Sequence, residues 1–302
     1  MRKYERINSI KLHGGIHTLE VGLSQEIAAA PGISARGTIL EKNTGQIIYL
    51  YHINLNKIAC GKDGYISNWQ DFAGQYAAAI DPTGENTATI RRVDFRIDDY
   101  DNSFAEVRKI NSAVVRALAS LKGCGKVYTS GTAGGGEYHN IHVQSKGGRY
   151  SVECYDRRKK TGAEGLTHTR LELRSLSRDV EFCYIPELAA GWLKELELIK
   201  SGRLTDHYQR AQELANNDLW ELWQQKTASG RAGSIAGFIK EQQDNIYTAG
   251  QMVELCTLLG MSKHSAYNCG NKLGIEYISG KEFADHIGKI QSALVEFFGY
   301  DF

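Results

Sequence analysis

Three short segments alternate apolar and polar residues with a period of two: Arg92-Val-Asp-Phe-Arg-Ile-Asp98, Tyr150-Ser-Val-Glu-Cys-Tyr155 and Arg170-Leu-Glu-Leu-Arg174. Successive side chains of a strand point to opposite faces, so Val93, Phe95, Ile97, Val152, Cys154, Leu171 and Leu173 are expected in a core. Asp94, Asp98, Glu153, Tyr155, Arg170 and Glu172 then share the other face. Residues 18–23 and 46–55 are further runs of β-branched and aromatic residues between turn signals. The second run is apolar on both faces, which predicts a central strand. Residues 138–144 read as a strand with Ile141 and Val143 inward and His142 outward, joined through the Lys146-Gly-Gly-Arg149 turn to the strand carrying Tyr155.

Helical spacing begins after Asn102. Ser103 and Glu106 form a capping box, and Val107, Ile110, Val114, Leu118 and Leu121 recur on one face until Gly123. Past Pro186 the chain changes character, with helical patterns over 188–200, 204–226 and 235–243. Thr248 and Gln251 then open a helix, Gly260 turns the chain, and a second helix starts on Ser262, which is a helix-turn-helix pattern. Its second helix presents Lys263, His264, Tyr267, Asn268 and Lys272 outward, residue types that reach phosphates and base edges in a major groove. The expected class is α+β: an antiparallel-sheet domain over 1–183 with helices on one face, a helical region over 184–245, and a helix-turn-helix region over 246–302.

Composition narrows the chemistry only slightly. With 302 residues, net charge +1 and 24% charged residues, the whole molecule has no electrostatic mark of a nucleic-acid binder, so any such contact rests on local basic clusters. Six scattered cysteines without a C-x-x-C pair read as reduced thiols rather than a zinc ribbon. No window approaches the roughly 18 apolar residues of a membrane span, and the expected location is the cytoplasm. The glycines of 131–136 lack phosphate-loop spacing and read as a hairpin.

Aspartate is depleted in strands, yet Asp94 and Asp98 lie on one face of one strand with Arg96 beside them. Carboxylates held that close require a cation or the interleaved arginines. An aspartate–glutamate cluster suits Mg²⁺ or Mn²⁺, and a phenol beside such a site is placed for phosphoryl chemistry. His142 points to the same face, as ligand or proton carrier. His139 and His142 are three apart and face opposite ways, so they do not chelate one ion unless a bulge intervenes.

The order Arg-Val-Asp94-Phe-Arg-Ile-Asp98, a helix, Val-Glu153-Cys-Tyr155-Asp-Arg-Arg-Lys, and Arg170-Leu-Glu172-Leu-Arg174 resembles the trans-type rolling-circle replication initiators of small plasmids. The related relaxases of conjugative elements and filamentous-phage replication proteins show the same order. The resemblance covers roughly 85–180 and rests on short motifs. It implies a metal-dependent nick of one DNA strand at an origin through a 5′-phosphotyrosine link. On that basis Tyr155 is the nucleophile, Asp94 and Glu153 hold the metal, Glu172 or Asp98 adds a further ligand, and Arg170 offsets developing charge. Arg96, Arg149, Arg157, Arg158, Lys159 and Lys160 would grip DNA, single-stranded or cruciform at the nick, with duplex at the helix-turn-helix. A host helicase and a second copy of the chain are partners this reading admits. A non-catalytic DNA-binding plasmid or phage protein and a water-using metal nuclease stay open.

Overall fold

The computed structural model describes residues 3–61, 65–80, 88–121, 127–131, 138–145, 148–157, 169–202 and 204–299. Eight described strands form one antiparallel sheet: β1 (His13–Leu23), β2 (Ile33–Leu40), β3 (Ile47–Ile53), β4 (Ala88–Asp99), β5 (Val127–Gly131), β6 (Tyr138–Gln144), β7 (Tyr150–Asp156) and β8 (Thr169–Val180). Their order is β2-β3-β1-β4-β8-β7-β6-β5. The three alternating segments are thus adjacent, as β4, β8 and β7.

The α-helices among the described residues are α1 (Lys3–Ile7), α2 (Leu55–Cys60), α3 (Trp69–Ile80), α4 (Phe104–Leu121), α5 (Ile185–Glu197), α6 (Leu204–Ala228), α7 (Ile235–Glu241), α8 (Ala249–Leu258), α9 (Lys263–Leu273) and α10 (Gly280–Phe298). The fold is α+β, with helices packed on one sheet face and a helical C-terminal region. α4 lies against β6, β7 and β8, and α10 against β1 and β4. Val93, Phe95, Ile97, Val152, Cys154, Leu171 and Leu173 are all buried on that side, as their alternation predicts.

α4 carries more than an apolar stripe. Its far side is also covered, by the C-terminal helices, and its polar residues are met there. Arg116 donates to Asp218 at 3.0 Å and to the Tyr247 hydroxyl at 2.9 Å, and Lys109 donates to the Glu276 carbonyl at 2.6 Å. The main core runs from the sheet through α5 and α6 into α10, while a second cluster joins Leu219, Phe238, Ile246, Met252, Leu255 and Ala266.

One sequence expectation is corrected. The 46–55 run is not central: β3 is second from the sheet edge, Ile47 is 50% exposed, and only Tyr51 and Ile53 of the strand are buried. Two helices, α2 and α3, also stand between β3 and β4. Phe72, Tyr76 and Ile80 are buried at helical spacing, and Asn68 caps the start of α3 by accepting from the Asp71 amide at 2.8 Å.

Two glycines of β1 permit close approaches. A Cβ on Gly14 would lie 2.0 Å from the Ala293 carbonyl of α10, and one on Gly15 would lie 2.7 Å from the Arg96 guanidinium on the opposite face. Gly14→Ala therefore forces the helix off the sheet. It is expected to cost about 3 kcal/mol, at the upper end for an overpacked core, read as a lower urea midpoint with an unchanged slope.

Candidate active site

The sheet register assembles the polar face. Asp94, Arg96 and Asp98 of β4 stand opposite Arg174, Glu172 and Arg170 of β8. Those in turn stand opposite Ser151, Glu153 and Tyr155 of β7, and His142 of β6 stands opposite Glu153. Paired residues of an antiparallel ladder share a face, so the expected group occupies one surface of four neighbouring strands.

Arginines interleave with the carboxylates. Asp94 accepts from Arg92 Nε and from Arg174 Nε, each at 2.7 Å. Asp98, wholly buried, accepts from Arg170 Nε at 2.6 Å and Nη2 at 3.1 Å and also pairs with Arg96. Burial alone would raise the Asp98 pKa, but Arg170 and Arg96 outweigh it and hold the carboxyl below its usual range. Three carboxylates, Asp94, Asp98 and Glu172, thus sit among four guanidiniums, those of Arg92, Arg96, Arg170 and Arg174. The arginines alone suffice to keep these acids together, and no cation is required for charge balance.

Glu172 is the junction. Its Oε1 accepts from the Tyr155 hydroxyl at 2.7 Å and lies 2.7 Å from His17 Nδ1, while Arg174 Nη2 stands 3.6 Å from Oε2. Burial would raise its pKa, yet His17, Arg170 and the Tyr155 hydrogen bond pull it well below the usual carboxylate range. Tyr155 is 3% exposed, and its phenol is pushed well above 10, first by burial and then by the negative charge of Glu172. At rest the phenol is therefore held protonated.

His17 has no expectation attached to it in the sequence. The β1–β4 register shifts between Ile16 and Thr18, leaving His17 without a partner on β4. This bulge turns the imidazole to the polar face, whereas strict alternation with Leu19, Val21 and Leu23 would bury it in the core. His17, Asp94 and Glu172 offer one ligand atom each, all within 4.8 Å of one another. Each Asp94 oxygen already accepts from Arg92 and from Arg174, so a divalent ion would enter this donor set only as one of those guanidiniums gives way. The imidazole makes it softer than an all-oxygen site, which shifts preference from Mg²⁺ toward Mn²⁺ or a later transition ion. Glu153 and His142 share the face but lie outside this three-donor group.

The segment around Tyr65 lies over the same face. Asn56 anchors it, donating to the Ile16 carbonyl at 2.7 Å and accepting from the Ile66 amide at 3.0 Å. The Tyr65 ring sits 4.0 Å from the Arg96 guanidinium and 5.1 Å from that of Arg157, and its hydroxyl accepts from Arg170 at 2.9 Å. Of the other residues read as DNA contacts, Arg96 is buried, Arg149 is exposed, and Arg158, Lys159 and Lys160 lie outside the described residues. Lys263, His264, Tyr267, Asn268 and Lys272 are all exposed on α9, with Tyr267 at 54%. α8 and α9 are joined through Gly260 at φ +101° and are capped by Thr248 and Ser262.

No protein-family model matches the sequence, and no curated protein does. Among solved structures, a rolling-circle replication initiator protein from Geobacillus stearothermophilus aligns with 14% identity and a TM-score of 0.34, covering 60% of this chain and 78% of that one. No helix among the described residues is long and apolar enough to cross a membrane.

Proposed function

We propose that the protein nicks one strand of DNA at an origin through a covalent 5′-phosphotyrosine intermediate, as a rolling-circle initiator or relaxase does, with Tyr155 as nucleophile. One observation carries this reading: the Tyr155 hydroxyl donates to the carboxylate oxygen of Glu172 that also approaches His17, in a group of three potential metal ligands. Any buried phenol needs an acceptor, and here the acceptor is a carboxylate that also approaches His17. Tyr155 Oη forms a bond to phosphorus as the bond from phosphorus to the 3′ oxygen breaks, and the phenolic proton leaves along its hydrogen bond to Glu172 and passes on to water, since Glu172 is too weak a base to keep it. The departing 3′ oxygen takes a proton from water. Arg170 and Arg174 flank this position and stabilise charge on the phosphoryl oxygens. A divalent cation held by His17, Asp94 and Glu172 would polarise a phosphoryl oxygen and offset the charge that holds the phenol protonated. Because the link conserves the phosphoester bond, the reverse reaction reseals the strand.

Residues 1–183 form the nicking unit in this reading, 184–245 support it, and 246–302 dock α9 on duplex DNA. The test is incubation with labelled single-stranded oligonucleotides spanning the replicon that encodes the chain, with Mn²⁺ or with chelator. Mn²⁺-dependent cleavage supports nicking, and uncleaved DNA overturns it. Independently of activity, His17→Ala is expected to weaken Mn²⁺ binding at least about tenfold by titration calorimetry. Wild-type affinity in that variant removes His17 from the site.

A second reading has an observation in its favour. Tyr155 is nearly inaccessible, and the arginines already satisfy the acids, as in a purely structural ion network. The protein would then bind DNA through α9 without cleaving it, and the same incubation separates the two.

A further inference from the structure

A cavity of about 300 Å³ opens beside the site, where the start of β1 meets the last turns of α10. Four rings line it: His13, Tyr65, Tyr100 and Phe297. The His13 and Tyr100 rings meet edge to face with centroids 4.9 Å apart. The polar lining includes Ser67, the buried Arg96, and Lys11 and Glu296, which pair with each other at 2.5 Å. Arg96 spends Nη1 on Asp98 and reaches the Ile66 carbonyl with Nη2 at a long 3.5 Å, while its Nε has no partner among the described residues. The cavity borders the candidate site through Tyr65, whose ring rests on Arg96 and whose hydroxyl is held by Arg170.

Aromatic walls with a guanidinium and a hydroxyl suit a flat heterocycle with hydrogen-bond acceptors on its edge. A simple apolar ligand would leave the guanidinium and Ser67 without a role, and a bare anion would leave the rings unused. The volume is at the low end for small-molecule sites and accommodates one nucleotide unit. We propose that this cavity takes a nucleobase of the single strand presented to Tyr155, stacked on the rings and read along its edge by Arg96 and Ser67. The inference rests on the nicking reading for the identity of the strand. The cavity's own chemistry would equally admit the base of a free mononucleotide.

The test uses the full chain in the Tyr155→Phe background, which binds without turnover. Fluorescein-labelled dA, dC and dT 12-mers are titrated by anisotropy, and the four deoxynucleoside monophosphates by calorimetry. His13→Ala removes one wall, and Ser67→Trp fills the space; both positions are exposed, and thermal unfolding verifies that each variant folds. Each variant is expected to weaken 12-mer binding about tenfold, within the range of one base–aromatic stack. A parallel loss for one monophosphate shows that the cavity also takes a free nucleotide. Loss for 12-mers alone shows that it takes its base from a strand. Parent affinity in both variants, or no binding of any oligonucleotide, overturns the proposal. A wild-type chain that cleaves nothing while His13→Ala still loses 12-mer affinity refutes nicking and leaves the cavity standing. A wild type that cleaves while both variants bind like the parent removes the cavity alone.

Discussion

Asp98→Ala is expected to destabilise the fold by about 3–5 kcal/mol, because it strands two guanidiniums in the middle of the sheet. Arg96 and Arg170 are both buried and both pair with this one carboxylate. Both are almost wholly inaccessible where they stand, and without Asp98 each keeps only weaker partners: Arg96 the Ile66 carbonyl, Arg170 the Tyr65 hydroxyl and a distant Glu172. The melting temperature in calorimetry should fall on the order of 10 °C. The acid side of the stability profile should change as well. Asp98 and Glu172 have folded-state pKa values depressed below the usual range, so their stabilisation is fully present above the ordinary carboxylate pKa of about 4. It is lost as pH falls from there through the folded values. Wild type should therefore lose stability steeply below about pH 4, and Asp98→Ala more gradually. A variant as stable as wild type, with the same acid profile, would mean that the arginines are solvated and the face is open.

Tyr155→Phe should separate structure from chemistry. The ring and its packing are kept, and Glu172 keeps His17 and Arg174 as neighbours, so stability should change by about 1 kcal/mol, the worth of one hydrogen bond. Nicking should fall by at least about 10³-fold, since removing a nucleophile removes the covalent route altogether. Single-turnover cleavage of an end-labelled strand reads the rate. Retained cleavage would assign the bond breaking to water and leave Tyr155 as a contact to the strand.

The fold was legible wherever one sheet face is apolar. Alternation in β4, β7 and β8 put the right residues inside, because an inverted strand would place arginines and aspartates in the core. The gathering of Asp94, Glu172, Tyr155 and Arg170 on one surface followed from the same period, given that the strands are neighbours. Strand order itself is not written in local pattern, and β3 shows the consequence. Its two apolar faces suggest the sheet centre, yet it lies near an edge with Tyr49 and Ile48 only half-buried. His17 was hidden for a different reason, since a bulge reverses parity at one residue. The signal was available: Ile16 and Leu19 are both buried though three apart, a spacing no regular strand allows. α3 shows helical spacing at Phe72, Tyr76 and Ile80, but it is short and stands between runs rich in β-branched residues whose local pattern is stronger. The network of Arg116, Tyr247 and Asp218 between α4 and the C-terminal helices joins residues more than 100 positions apart, beyond any local pattern.

The central claim is that one tyrosine of the sixteen in the chain takes the 5′ end of the cut strand. It is tested most directly by peptide mapping after incubation with Mn²⁺ and an origin oligonucleotide, followed by nuclease trimming and mass spectrometry. Tryptic cleavage after Arg149 and Arg157 releases Tyr150 and Tyr155 in one peptide, so fragmentation must resolve them. Tyr150 and Tyr155 lie on opposite faces of β7, and only Tyr155 meets Glu172. A nucleotide-bearing phosphate on Tyr155 is the expected result. Cut DNA with no modified tyrosine, or with the phosphate on Tyr150 or any other tyrosine, would contradict it.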